Sequence, residues 1–255
     1  MRMKNKRAEE IAKRDDLKKE RAEKKRQRDN SGILERSESI INQNPKILIT
    51  CEGKNTEKDY FDHFKLPSLT LEVIGVGDNT ISLVNKTIKI RDEKDNGFYD
   101  EVWCVFDADP KPDNPKQLQN FNQAIWLADR NGIKVAYSHQ AFEYWLLLHF
   151  NDHQGGAMNR SLYRNALNKF LKPFNLKYDD SSDGRSKSIS ENLFNVLMAL
   201  ENGERRVCRA IQRANRIYSQ LNHQNPALNE SATSVFLLVE KLLKFNRMIQ
   251  CPTKT

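Results

Sequence analysis

Several features that would place a chain in a membrane, outside the cell or around a nucleotide are missing here. No apolar run approaches the ~18 residues that a bilayer-spanning helix needs, and the densest stretch, Phe142 to Phe150, is far shorter. The opening Met-Arg-Met-Lys-Asn-Lys-Arg has none of the apolar stretch of a secretory signal. Cysteine is scarce: Cys51, Cys104, Cys208 and Cys251 form no C-x-x-C pair and no disulfide-like crowding. That argues against a cysteine-based zinc site and fits a reducing interior. No Gly-x-x-x-x-Gly-Lys-Ser/Thr loop occurs, so any ATP hydrolysis would fall to a partner. The expectation is a soluble, cytoplasmic protein without a membrane association.

What the chain does have is charge, unevenly placed. Of the formal net charge of +8, residues 1 to 30 hold +6, from thirteen Lys/Arg against seven Asp/Glu. This tail cannot bury surface, yet its Ala, Glu, Lys and Arg favour local helix. It reads either as a polycation that gathers phosphates or as a solvated charged helix. A polar linker follows up to Pro45. Residues 46–150 then alternate between compact apolar runs and amphipathic stretches, and residues 151–255 read as helical and packed on that core. Strands are expected at Lys46 to Glu52, Leu71 to Val76, Glu101 to Asp107 and Lys134 to Ser138. Helices are expected at 55–65, Thr80 to Arg91, Gln117 to Arg130 and 142–150. Beyond residue 157 only helices are signalled, around Leu162 to Leu171, Leu193 to Leu200, Val207 to Leu221 and Val235 to Phe245. Tyr178 to Ser190, rich in Asp, Ser and Gly, reads as a loop. Alternation at this spacing predicts an α/β fold with right-handed crossovers and a parallel-rich sheet.

In such sheets function collects at the carboxyl ends of the strands. Two of the apolar runs end there in acid: Cys51-Glu52-Gly53 and Phe106-Asp107-Ala108-Asp109. A carboxylate just beyond a buried strand is costly unless it meets water, a partner or a cation. Asp107 and Asp109 with Glu52 form a hard-oxygen set that suits Mg2+ (or Mn2+), which takes few protein carboxylates and completes its shell with phosphate. Such an ion would orient and polarise a phosphodiester. The alternative is that these acids only cap strands and turns.

The block from Ile47 through Glu52-Gly53-Lys54-Asn55-Thr56-Glu57 to Phe61 closely resembles the opening motif of the RloB-like family. So do Val102 to Asp109, Ser138 to Phe150, and Asn225-Pro226 followed by Thr233, Val235, Leu238 and Val239. The four blocks come in order and cover residues 46 to about 243. The resemblance implies a Toprim-like core, similar to topoisomerases, bacterial primases and OLD-type nucleases, with Glu52, Asp107 and Asp109 as the catalytic and metal-binding acids. It implies a nuclease in bacterial anti-phage defence, of the abortive-infection kind, working on DNA or RNA beside an AAA- or ABC-type ATPase. Two departures stand out: Gln140 occupies a turn where proline is expected, and the acidic block runs into Pro110 with Asp113 as the next acid.

Secondary candidates surround this set. Glu143 opens a helix and reads either as a further metal ligand or as an acid favoured by the helix dipole. Lys54 could meet a phosphate, and Glu57 reads as a capping acid. Arg205, Arg209, Arg213 and Arg216 recur on one helical face and could track a nucleic-acid backbone, an acidic partner or only solvent. His149 and His153 have zinc-pair spacing without the accompanying H-E-x-x-H motif. A dehalogenase-type phosphatase would need a small polar residue at Pro110, and no nucleotide-sugar pattern supports a glycosyltransferase. The rival to a nuclease is therefore a non-catalytic nucleic-acid-binding or regulatory subunit of an ATPase-containing defence complex, and a homo-oligomer is compatible with either.

Overall fold

In the computed structural model the four apolar runs, each too short to make a stable helix, lie side by side as a parallel sheet. The structure describes residues 13–26, 44–110, 113–114, 116–153, 158, 160–178, 187–246 and 248–252. The linker before Pro45, part of the proline-rich turn after Pro110 and most of the Asp/Ser/Gly-rich loop lie outside them. The chain divides into two units, Met1–Gln43 and Asn44–Thr255. In the first, residues 13–26 are helical (α1) and exposed throughout.

In the second, β1 (Lys46–Cys51) is flanked by β2 (Thr70–Gly75) and β3 (Glu101–Asp107), and β4 (Lys134–Ser138) pairs with β3, giving the order β2-β1-β3-β4. All three pairings are parallel, with Cys51 opposite Gly75 and Val105, and Asp107 opposite Ser138. The crossovers are α2 (Thr56–Asp62), α3 (Thr80–Asp92) and α4 (Lys116–Arg130). Period-2 alternation sorts each strand between two cores. Ile47, Ile49, Cys51, Trp103 and Val105 join one cluster, while Leu48, Val102, Cys104 and Phe106 join the other. Burying each such Leu, Ile or Phe side chain contributes roughly 1.5–3 kcal/mol. The second cluster is closed by α4, whose Phe121, Ala124 and Ala128 recur at helical spacing.

The first cluster is closed largely by the C-terminal helices: α5 (Glu143–Leu148), α6 (Arg160–Leu171), α7 (Glu191–Met198), α8 (Arg206–Tyr218) and α9 (Val235–Leu243). The expected α/β class, parallel sheet and helical C-terminal part are thus present. Helices alone do not fill that part, however. A small hairpin joins β5 (Leu200–Glu201) to β6 (Glu204–Arg205) around Asn202-Gly203, whose φ angles of 52° and 82° match the mirror-image turn that Asn-Gly favours. Thr233 forms an antiparallel bridge to Ser138, and Ser234 N–H donates to the Tyr137 carbonyl at 2.8 Å, so this segment covers the outer edge of β4. A second correction concerns cysteine: Cys208 in α8 is disulfide-bonded to Cys251, their Cα atoms 5.3 Å apart across 43 residues of sequence. Cys51 and Cys104 remain buried and free. Among the described residues no helix is long and apolar enough to cross a membrane.

Candidate functional site

Glu52 is the first residue beyond β1, and its backbone is fixed on both sides. Its N–H donates to the Val105 carbonyl of β3 at 2.9 Å, and its carbonyl accepts from Gly77 N–H at 2.9 Å. Asp107 closes β3 and is 6% exposed; the next residue, Ala108, donates its N–H to the Ser138 carbonyl at 3.0 Å. Because β1 and β3 are neighbours and parallel, both acids emerge at the same edge of the sheet. A Glu52 Oε2 accepts from the Asp107 N–H at 3.4 Å. The sequence pattern of an apolar run stopped by acid, occurring twice, has become two acids on neighbouring strand ends, with the Glu52 carboxylate at the Asp107 main chain.

The loop after Glu52 is shaped by glycine. A Cβ on Gly53 would lie 2.0 Å from Oε2 of Glu57, so only glycine lets that carboxylate fold back over the loop. Gly77, at φ +76°, has the aliphatic part of Lys54 lying against it. Lys54 itself is exposed. Asn55 takes the N-cap position of α2 without a side-chain bond to the helix's first turn. Thr56 instead uses its hydroxyl for tertiary contacts, donating to the Lys187 carbonyl at 2.5 Å and lying 3.0 Å from the Tyr178 hydroxyl. Glu57 is buried as well, which a capping role alone would not require.

Asp109 stands two residues past β3 with φ 38°, half-buried, and Asp113 is exposed. Glu143 opens α5, five residues beyond the end of β4, and is 5% exposed. Tyr178 donates its hydroxyl to Glu143 Oε1 at 2.8 Å. The turn between β4 and α5 carries Gln140 at φ 71°, a left-handed conformation closed to proline, whose ring holds φ near −65°. Tyr163, on α6, is fully buried and its hydroxyl finds no partner among the described residues. Burial pushes its phenol up, and the charges of Tyr144, Asp107 and Glu143 push it further.

The donor set at this edge is all carboxylate oxygen. Among the described residues no three His, Cys, Asp or Glu side chains are gathered into a group that could hold a metal ion. The Glu52–Asp107 pair still fits the chemistry of a hard cation that keeps most of its waters and binds through about one or two carboxylates plus a phosphate.

Other sequence candidates fall elsewhere. His149 Nδ1–H donates to the Trp145 carbonyl at 3.0 Å inside the core, and burial lowers its pKa to about 3. His153 is half-buried and packs against Tyr144, and among the described residues no group of three or more metal-ligand side chains forms around the two histidines. Arg205, the last residue of β6, and the arginines of α8 are bonded within the chain. Arg205 donates to the Met198 carbonyl, Arg209 to both carboxylate and carbonyl of Glu201, Arg213 to the Leu148 carbonyl and Arg216 to Asp152. Arg206, absent from the one-face pattern, is the most buried of them; it bonds Glu201 and lies over the Phe174 ring.

An α/β fold with acids at the carboxyl edge of a parallel sheet defines the class to which this site belongs. The RloB-like protein family model matches residues 47–242, and the chain belongs to that family. No curated protein and no solved structure matches it.

Proposed function

We propose that this chain is a Mg2+- or Mn2+-dependent nuclease of the Toprim type, acting in bacterial anti-phage defence together with an ATPase. The observation that carries the reading is the convergence of Glu52 and Asp107 on adjacent strand ends, with the Glu52 carboxylate at the Asp107 N–H. The family's motif blocks supply the Toprim and defence parts by resemblance. In this reading Glu52 and Asp107 hold the ion, and Asp109 and Glu143 would serve as further ligands or as acids that hold its waters. When bound, the ion would supply charge to the phosphodiester oxygens as bonds to phosphorus form and break. The protein's own contribution is rigidity. Backbone bonds from β3 and from Gly77, just past β2, fix the main chain at Glu52, and one from β4 fixes it just beyond Asp107, so the strand ends that carry the two acids are held in place. Lys54, exposed on the same loop, would meet substrate phosphate.

The test is cleavage of DNA and RNA by purified protein in Mg2+ or Mn2+. Cleavage that falls to background in Asp107→Ala, with the variant still folded, supports the reading. A wild-type protein that cleaves neither polymer but binds an ATPase tightly would replace it with the non-catalytic subunit.

A further inference from the structure

The lysines on the two helices that leave the β1 and β2 ends are engaged within the chain. Lys58 on α2 pairs with Asp62, and on α3 Lys86 pairs with Asp78 and Lys89 with Glu93. Lys54, on the loop just past Glu52, differs from them. It is exposed, and its ammonium has no hydrogen bond or ion pair among the described residues. An unpaired surface lysine ordinarily wanders, because its flexible four-carbon stem loses rotamer freedom when held in one place. Here the stem lies on glycine. A Cβ at Gly77 would run into Lys54 Cε, and would stand 3.3 Å from Cδ and 3.2 Å from Nζ. Gly75, the last residue of β2, packs closely under the main chain: a Cβ there would lie 2.8 Å from Lys54 Cα and 2.9 Å from the Gly53 carbonyl oxygen.

The two glycines form a floor, Gly75 under the backbone of Lys54 and Gly77 under its amine end. That floor is tied to the acid-bearing strand. Gly77 N–H donates to the Glu52 carbonyl and Val76 N–H to the Cys51 carbonyl, each at 2.9 Å. The ammonium is thus kept at the strand end that carries Glu52. A lysine ammonium is a compact point charge that demands proximity more than angle, which suits it to a phosphate oxygen.

We infer that Gly77 is a positioning residue for Lys54: by carrying no side chain it seats the lysine stem along the turn between β2 and α3, and the ammonium so held contacts a backbone phosphate of the nucleic acid. The inference rests on the nuclease reading above for the class of ligand. Its physical content is pre-ordering, since a cation already held loses less freedom on meeting a phosphate than one that must be gathered. The left-handed φ of 76° at Gly77 favours glycine on its own account, and a substitution there changes backbone and seat together. Gly97 separates the two, with φ 80° and nothing within 4 Å of a Cβ built on it.

The test measures binding of a short labelled DNA duplex, and of RNA of the same sequence, across a salt series with EDTA present so that nothing is cut, alongside thermal melting. Wild type is compared with Lys54→Met, Gly77→Ala, their double variant and Gly97→Ala. Lys54→Met is expected to bind several-fold more weakly, with the slope of log affinity against log salt shallower by about 0.9 on the duplex. Gly77→Ala should reproduce both changes while melting no lower than Gly97→Ala, and the double variant should bind no worse than Lys54→Met. Gly97→Ala should keep the wild-type affinity and slope. Wild-type affinity and slope in Gly77→Ala, losses that add fully in the double variant, or an unchanged slope in Lys54→Met would overturn the inference, as would a wild type that binds neither polymer. Cleavage by wild type in Mg2+ or Mn2+ is scored separately: a protein that binds through Lys54 but cuts neither polymer overturns the nuclease reading and leaves the seat of Lys54 standing. Should Gly77→Ala fail to fold or melt well below Gly97→Ala, Gly77→Asn adds the same Cβ with a residue that tolerates the left-handed backbone, and the same losses are expected of it.

Discussion

Glu52 and Asp107 on one side, and the arginines of α8 on the other, are both charged series read from the sequence, and the fold treats them differently. The acids sit at strand ends, where the topology decides their neighbours: β1 and β3 are adjacent and parallel, so residues 55 positions apart arrive together. The arginines sit along one helix, where spacing alone places them on a shared face, yet their guanidiniums turn to carbonyls and carboxylates of the same chain. A row of like charges on a helix face shows only what could be recognised. Which of them is left for a partner depends on what packs alongside.

The sharpest way to break this comparison is to exchange the expected losses. Arg206 is buried, bonds the Val196 carbonyl and Glu201, and lies over the Phe174 ring at 4.9 Å. Arg206→Ala removes that packing and the pair with Glu201, and should cost about 3 kcal/mol in denaturant unfolding. Asp107→Asn should change stability by less than about 1 kcal/mol, since it removes a charge from a crowded acidic edge. Equal destabilisation by the two would make the acids structural and sink the contrast.

The next effect is a pH dependence on the arginine side. Burial first, opposed by the hydrogen-bonded carbonyls of Trp145 and Leu146 and reinforced by the charges of Arg213 and Arg206, lowers His149 to about 3. The folded chain thus prefers the neutral ring, while the unfolded chain takes up a proton near pH 6.5. The stability contributed is full above the unfolded value and is lost as pH falls from there toward 3. The loss should run at about 1.4 kcal/mol per pH unit, or roughly 2 kcal/mol by pH 5. His149→Phe should flatten that part of the stability–pH curve, as equilibrium unfolding at pH 7 and 5 will show. An unchanged slope would mean that the ring is not held neutral by burial.

A smaller effect separates buried from surface arginine. Arg216 and Asp152 pair with side chains 41% and 40% exposed, and Arg216→Ala should cost only ~0.5 kcal/mol, less at high salt. A loss as large as that of Arg206→Ala would show that exposure does not sort this series.

The sheet was the most legible part of the chain. Glu101–Asp107 and Lys134–Ser138 are apolar runs with sharp polar ends, and the bounds read from them are those of β3 and β4. Glu52 and Asp107 were legible for the same reason. What escaped depends on long-range packing or on very short elements. Two-residue strands are too short to show alternation, so Asn202-Gly203 passed unnoticed between two helices. Tyr178 lies in Asp-, Ser- and Gly-rich sequence that reads as loop, and its partners are 35 and 122 residues away. Cys208 and Cys251 meet only once the C-terminal segment is laid beside α8. The acceptors that engage the arginines are mostly carbonyls, which every sequence has and none advertises.

The smallest expected effect on stability belongs to the tail, and it carries the charge contrast to the whole chain. Residues 1–30 hold +6 of the net +8, and the described helix there, 13–26, is exposed at every position. A sequence this poor in apolar residues can bury little apolar surface, so deleting residues 1–43 should leave unfolding free energy within ~0.5 kcal/mol. The positive field is another matter. If the tail gathers nucleic acid, each lost phosphate contact removes its released counterion, and the slope of log affinity against log salt should become shallower by about 0.9 per contact on duplex DNA. If it docks instead on an acidic surface of an ATPase, the salt slope will stay and pull-down of that partner will weaken. Paired salt titrations and pull-downs, with and without residues 1–43, decide between the two. A truncated protein unchanged in both assays would leave the tail a solubilising appendage.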